Sequence, residues 1–405
     1  MQYEPLSKLF YKNPSSYEET YQKRFSDPES VHLDLSIKES PAFFLQTGEV
    51  YRLIISIQNY DKKIDNLCNL LPGVALDHFT WKCLVDEIVL TNDIEGVNST
   101  RREINEVLEK LNTSHQKQRF SGLVRKYLML QHGDKHNLVS CEDIRELYNE
   151  LVLSEVVEEN PEDAPDGKYF RKESVSVSNA AQKEIHRGLM PEENIISTME
   201  KSLQFLNSNA SDPLILISAF HYLFGYIHPF YNGNGRLSRF ISSYLLAQEL
   251  NYLISYRLSY TIKANIKTYY DAFKICNDSK NRGDLTPFVI CFLEILQEAM
   301  EQLLNALDRR HSDLERFEIL LDSHPLGQNP RYRDLVYHLI QAGLFSEMGI
   351  STKQLSRCLN LTYTPLKSRL NTLQTHNLLL VEKNGTEKFY KLNLDEFERQ
   401  SQPKE

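Results

Sequence analysis

The sequence predicts a mainly α protein: a helical core with one small β-hairpin, then a C-terminal domain of helices and a second hairpin. Three observations predict it. Glycine is scarce, at 15 of 405 residues, whereas Leu, Glu, Lys and Ile are plentiful. Apolar residues recur at spacings of three and four on both sides of one glycine-rich turn. Strand-like patterns are confined to two short regions, near Val175 and from Leu378 to Leu392.

Composition sets further bounds. The length suits two or three domains, each able to bury a core without staples. A formal charge of −9 argues against a protein coated in nucleic acid, although it allows one basic patch. The six cysteines, at 68, 83, 141, 276, 291 and 358, show no paired or metal-type spacing, which reads as reduced thiols in a cytoplasmic protein. The start, Met1 to Pro5, lacks a basic region followed by an apolar run, so no signal peptide is expected. No stretch reaches the roughly 18 apolar residues of a membrane span.

In chain order, residues 1 to 45 are polar and carry Pro5, Pro14, Pro28 and Pro41, which predicts a surface wrap with little regular structure. Helical patterns follow over Val50–Leu71, ended by Pro72-Gly73, and over Leu76–Thr91. Further helices are expected over Glu103–Leu111, Phe120–Gln131 and Cys141–Leu153, the last capped by Ser140. Residues 160 to 167 form an acidic loop. Val175 and Val177 alternate with serines, and a turn at Asn179–Gln182 leads to a second strand near Ile185. Pro191 and Glu192 open a helix to Leu206.

The centre of the chain is His228-Pro229-Phe230-Tyr231-Asn232-Gly233-Asn234-Gly235-Arg236-Leu237-Ser238-Arg239. Leu216, Phe220, Leu223, Phe224 and Ile227 precede it at helical spacing, and Pro229 stops that helix. Leu237, Phe240, Ile241, Tyr244 and Leu245 resume it. The stretch is therefore a loop between two core helices. Gly233 and Gly235 permit unusual backbone turns, and N–H groups from Gly233 to Gly235 can form an anion-binding nest at a helix start. Arg236 and Arg239, three apart, project from one face. His228 titrates near neutrality and is a candidate base, while Phe230 anchors the loop.

These residues resemble the signature of the Fic family, His-Pro-Phe-x-(Asp/Glu)-Gly-Asn-Gly-Arg-x-x-Arg, and match it everywhere except at Asn232, where the family has an acid. The resemblance runs from about Leu84 to about Glu294. It implies AMP transfer from ATP to a Ser, Thr or Tyr hydroxyl of a protein, with His228 as base and Gly233, Asn234, Gly235, Arg236 and Arg239 holding the phosphates. The family acid holds Mg²⁺. An amide oxygen at Asn232 can ligate a hard cation but brings no charge, so weak metal binding is expected.

By itself Thr91-Asn92-Asp93-Ile94-Glu95-Gly96 reads as a helix end with a solvated glutamate. Beside the motif it resembles the family's inhibitory helix, (Ser/Thr)-x-x-x-Glu-(Gly/Asn). That implies Glu95 pairing with Arg239 in the space of the γ-phosphate, Thr91 fastening the helix and Gly96 ending it. Glu95 is also a candidate for positioning a water that removes AMP from a modified target. The hairpin over 174–187 suits an ordinary surface turn, and equally the family flap that lays a target segment, from another protein or from this chain, beside the site. Val177 on it is carried over as a nucleotide contact. Tyr269 and Asn277 resemble contacts to the base or ribose, and core packing with a helix-end cap suits them as well.

After a helical connector, Pro325 to Pro330 mark a boundary. Beyond it come helices at Asp334–Ala342, Ser351–Leu359 and Thr364–His376, and two strands joined through Asn384-Gly385. Helix-turn-helix plus hairpin is a winged helix. Lys367, Arg369, Lys383 and Lys388 could meet DNA phosphates, although such domains also dock proteins. The expected division is 1–83 N-terminal helical region, 84–300 core with inhibitory helix, 301–329 connector and 330–396 winged helix. A homo-oligomer is expected. The alternative to a transferase is a DNA-binding regulator whose core senses nucleotide.

Overall fold

The computed structural model describes residues 3–111, 118–131, 137–178, 184–384 and 387–401, apart from the side chains of 177, 178, 184 and 185. It is mainly α, with three small sheets among the described residues. Met1–Asp61 and Asp86–Glu301 form one compact unit, and Lys62–Val85 with Gln302–Glu405 a second. Residues 62–85 therefore fall with the C-terminal part of the chain, not with the expected 1–83 region. Within that unit Arg310 lies 5.1 Å over the Phe79 ring.

In the first unit, the opening residues are more regular than expected. They form helices Leu6–Lys12 and Pro14–Phe25 and an antiparallel pair, Ser30–Ile37 with Ser40–Leu45. The prolines punctuate these elements without preventing them. Pro14 takes the first helical position, where its missing N–H costs nothing. The overlooked signal is a period of two: Leu33, Leu35 and Ile37 are buried while His32, Asp34 and Ser36 face out.

The core is built on Pro213–Ile227, capped by the Asp212 side chain at Leu214 N and buried on almost every side. Glu192–Leu206 packs on it from one side and Asn234–Glu249 from another. Cys141–Leu151 starts with a capping box in which Ser140 and Asp143 satisfy each other's backbone N–H groups. Thr286–Ser323 is one helix of 38 residues, which begins in this unit and covers the expected connector as far as Ser323. Each fully buried Leu, Ile or Phe of this core contributes about 1.5–3 kcal/mol.

The second unit contains Arg333–Phe345, Thr352–Leu359 and Tyr363–Thr375, with a sheet ordered Ile350–Ser351, Glu387–Leu392, Leu379–Asn384. Leu339, Leu355, Leu366, Leu373 and Phe389 are buried within it. Gly385, in the expected hairpin turn, lies outside the described residues. Lys367, Lys383 and Lys388 are exposed, but Arg369 donates from Nη1 to the Arg331 carbonyl at 2.7 Å and is turned toward its own fold.

None of the six cysteines is joined in a disulfide among the described residues. No described helix is long and apolar enough to cross a membrane.

Candidate active site

The Pro213–Ile227 helix ends where Pro229 forbids its continuation. His228 takes the left-handed region, with φ of 52°, and its N–H closes the last turn on Phe224 O. The loop that follows is pinned from below. Phe230 is fully buried and stacks on Tyr148 at 3.7 Å, with the Phe170 edge at 5.5 Å. Asn234 clasps the loop, accepting from Phe230 N at 2.9 Å and donating to Phe230 O at 2.8 Å. Its side chain is thus spent on the turn, and only its backbone can face an anion.

Gly233 caps the Asn234–Glu249 helix with φ of 78°. Its N–H donates to Asn232 Oδ1 at 2.7 Å, so the nest narrows to the Asn234 and Gly235 N–H groups, the first two of the helix. Gly235 lies inside the helix, and its small size serves a close approach instead of an unusual turn. A Cβ there would sit 2.1 Å from Glu95 Oε1 and 2.8 Å from Arg239 Nη1.

The two motif arginines are both buried but differently met. Arg239 donates from Nε to Thr91 Oγ1 at 2.8 Å, and from Nη2 to Thr91 O at 2.9 Å and Glu95 Oε1 at 3.1 Å. Burial opposes its charge, yet Glu95 and the nearby tyrosines outweigh that and raise its pKa. Arg236 has no hydrogen-bond partner at Nε or Nη2. Burial lowers its pKa, against the pull of Glu95 and Glu155.

Thr91 and Glu95 come from the end of the Gly73–Ile94 helix. Gly96, at φ of 74°, turns the chain, and Val97 N returns to Asn92 O at 2.9 Å. One turn earlier, Glu87 is buried on the same face. It accepts from Ser259 N at 2.9 Å and from the hydroxyls of Ser259 at 2.5 Å and Tyr127 at 3.4 Å. Burial pushes its pKa up to about 7.

His228 lines a cavity of about 260 Å³, with Glu95, Gly235, Arg239, Tyr269, Tyr270 and Asn277 also in its wall. Burial, then His186 and Arg171, push its pKa down to about 3, against a hydrogen bond to the Gly225 backbone. The imidazole is therefore neutral near pH 7 and, contrary to the near-neutral titration expected from the sequence, a weaker base than an ordinary histidine. The cavity is smaller than the roughly 300–1,000 Å³ of most small-molecule sites. A larger one, about 990 Å³, lies against the N-terminal segment and contains no motif residue.

The other expected contacts are partly committed elsewhere. Tyr269 OH is 2.7 Å from His221 Nε2, and Asn277 Oδ1 accepts from Tyr222 OH at 2.7 Å. Both still line the cavity. Val177 lies on strand Ser176–Ser178, paired with Glu184–Arg187, and its side chain is outside the described residues, as is the turn at 179–183. Asn232 Nδ2 approaches Asp163 Oδ2 at 3.3 Å. Glu87, Asp163, Arg171 and His186 went unnoticed in the sequence. Only Glu87 left a signal, since 87, 91 and 95 fall four apart along one helix face.

Comparison with known proteins agrees with this core. Residues 138–246 match the model of the Fic/DOC family. A protein named protein adenylyltransferase Fic, from Drosophila ananassae, is 25% identical over 256 residues, covering 61% of this chain and 47% of that protein. The chain thus spans about half the length of that relative. The crystal structure of a Fic family protein from Desulfovibrio desulfuricans aligns with a TM-score of 0.51 at 20% identity, over 86% of this chain and 96% of that one. A Fic domain containing signaling protein from Bacteroides thetaiotaomicron aligns with a TM-score of 0.45 at 18% identity, over 62% of this chain and 95% of that one.

Proposed function

We propose that this Fic-domain chain is a protein adenylyltransferase in a self-blocked state, moving AMP from ATP to a Ser, Thr or Tyr hydroxyl of a protein. One observation supports it above the others. Beside a neutral His228, Arg239 is filled by Thr91 and Glu95 while Arg236 keeps two buried donors without a partner. A buried guanidinium left in that condition costs free energy, and a phosphate would relieve it.

In this reading His228 takes the proton of the incoming hydroxyl as its oxygen attacks the α-phosphorus. The bond to the bridging oxygen then breaks and pyrophosphate leaves. Arg236 and the Asn234 and Gly235 N–H groups meet the charge on the departing phosphates. Glu95 excludes the γ-phosphate by occupying Arg239. The acceptor segment lies along the 174–187 flap and can belong to another protein or to a second copy of this chain in a homo-oligomer.

The residues present fit a resident Mg²⁺ poorly. Asn232 Oδ1 is already taken by Gly233 N–H, its nitrogen faces Asp163, and the described residues hold no cluster of three His, Cys, Asp or Glu placed for a metal. In this reading Mg²⁺ arrives with the triphosphate substrate. A DNA-binding regulator is the weaker reading, because the formal charge is −9 and, of its four candidate phosphate contacts, Arg369 already donates to the Arg331 carbonyl.

The test is Glu95→Gly incubated with ATP labelled at the α-phosphate. Self-labelling should rise by about 100-fold, the worth of roughly 2.7 kcal/mol. A variant as silent as its parent would remove both the blockade and the transfer.

A further inference from the structure

We propose that Arg171 is the positioning residue of this site: one buried guanidinium ties both feet of the flap to the turn that presents His228. The inference rests on the adenylyl-transfer reading for its consequence, and on geometry for its existence.

Arg171 is fully buried. Its Nε donates to His228 O at 3.0 Å, Nη1 to Glu173 O at 2.6 Å and Nη2 to Leu189 O at 2.8 Å, while its backbone N–H donates to Pro229 O at 3.1 Å. Glu173 stands just before strand Ser176–Ser178, and Leu189 just after strand Glu184–Arg187. The paired strands begin and end beside these two residues, and a rigid planar fork spans both. Two further bonds complete the frame: Leu189 N donates to Ile227 O at 3.1 Å and Gly188 N to Val175 O at 3.1 Å. Gly188 is small because the fork passes beside it. A Cβ there would lie 2.3 Å from Arg171 Nη2 and 3.0 Å from His228 Cβ.

The bonding is entirely to carbonyls, so the charge of Arg171 meets no carboxylate among these partners. A buried cation without an acid is costly, and a neutral donor would satisfy the carbonyls more cheaply. The charge has a direct effect on the neighbouring imidazole. With burial and His186, it holds His228 in the neutral form. Arg171 therefore fixes where the base points and adds, after burial and His186, a third push toward its neutral form, without touching nucleotide or acceptor itself.

The experiment uses the full chain carrying Glu95→Gly, with Arg171 intact or changed to Met or Lys. Self-labelling from α-labelled ATP, the dissociation constant for ATP and the NMR titration of the His228 ring are measured together. Arg171→Met should cut labelling about 10- to 100-fold, as a small misplacement of a reacting group does. ATP binding should stay within about twofold, since the phosphate cradle is elsewhere. The His228 ring should titrate at higher pH, because a nearby cation is gone. Arg171→Lys keeps the charge but loses the fork. It should leave the titration in place and still lower labelling, and it decides the matter if the Met variant fails to fold. Labelling equal to the Arg171 protein in the folded variant overturns the proposal. If Glu95→Gly alone fails to label, the transfer reading falls, and the titration still decides whether Arg171 governs His228.

Discussion

Two sides of one helical turn carry the same residue type in opposite conditions. On the side of the Gly73–Ile94 helix, Arg239 is held by three hydrogen bonds that it donates to Thr91 and Glu95. On the side of Tyr148 and Glu155, Arg236 is as deeply buried and leaves Nε and Nη2 without partners. A fold settling only its own stability would satisfy both or expose one. The difference supports the proposed self-blocked state, in which the first position is occupied by a stand-in from the chain, the second is kept for an anion from outside, and the Glu95 carboxylate stands where a terminal phosphate would bring its own oxygens.

The comparison breaks most visibly at Glu95→Gly, whose expected rise in self-labelling is given above. Stability sharpens it next. Arg239→Gln should destabilise the protein by about 2 kcal/mol, because Thr91 and the partly exposed Glu95 lose a buried partner. Arg236→Gln should change stability by less than about 1 kcal/mol, since it removes donors that were not used. It should instead weaken ATP binding by about tenfold or more. Thermal unfolding and calorimetric titration of the two variants check both halves. Equal losses of stability would mean that Arg236 is as structural as its neighbour.

The next effect lies one turn back along the blocking helix, at Glu87. Its pKa is raised from 4.5 to about 7 by burial, so the folded state favours the protonated acid. Between those values the folded protein binds more protons than the unfolded chain, and stability falls as pH rises through that window. Histidines pushed down by burial, His221 and His228, act in the opposite sense as pH drops below their ordinary value. Comparing the parent with Glu87→Gln at each pH isolates the carboxyl. The parent should lose on the order of 1–2 kcal/mol relative to the variant between pH 5 and pH 8. Parallel stability curves would show that the three donors around Glu87 keep it ionised throughout.

How much of this was legible depends on where the chemistry sits along the chain. The turn from His228 to Arg239 concentrates base, nest and arginines in twelve consecutive residues, and the flanking apolar spacing placed it between two helices. The helix ends at Ser140 and Gly96 declared themselves through local backbone chemistry. The meeting of Glu95 with Arg239 spans 144 positions and could be expected only through the family resemblance. Arg171 was illegible for a different reason. It serves backbone carbonyls, which every residue possesses, so no partner in the sequence betrays it. In the opening 45 residues the prolines suggest irregular chain, yet the alternation of Leu33, Leu35 and Ile37 prevails and forms a strand.

The smallest expected effect concerns Asn232, where the motif departs from the family pattern. Its amide satisfies two groups at once: Oδ1 receives Gly233 N–H and Nδ2 faces Asp163 Oδ2. Asn232→Asp keeps the first interaction and turns the second into a repulsion between carboxylates. The metal-free variant should therefore lose about 0.5–1 kcal/mol. A divalent cation placed between the two acids would relieve that repulsion, so Mg²⁺ should raise the melting temperature of the variant and leave the parent nearly unchanged. In the Glu95→Gly background with Mg²⁺ present, transfer should rise about threefold, because the added carboxylate can hold a cation that neutralises the bound triphosphate. A folded variant with slower transfer and no response to Mg²⁺ would mean that the amide is the working group here, with the backbone turn at Gly233 depending on it more than the chemistry depends on a metal.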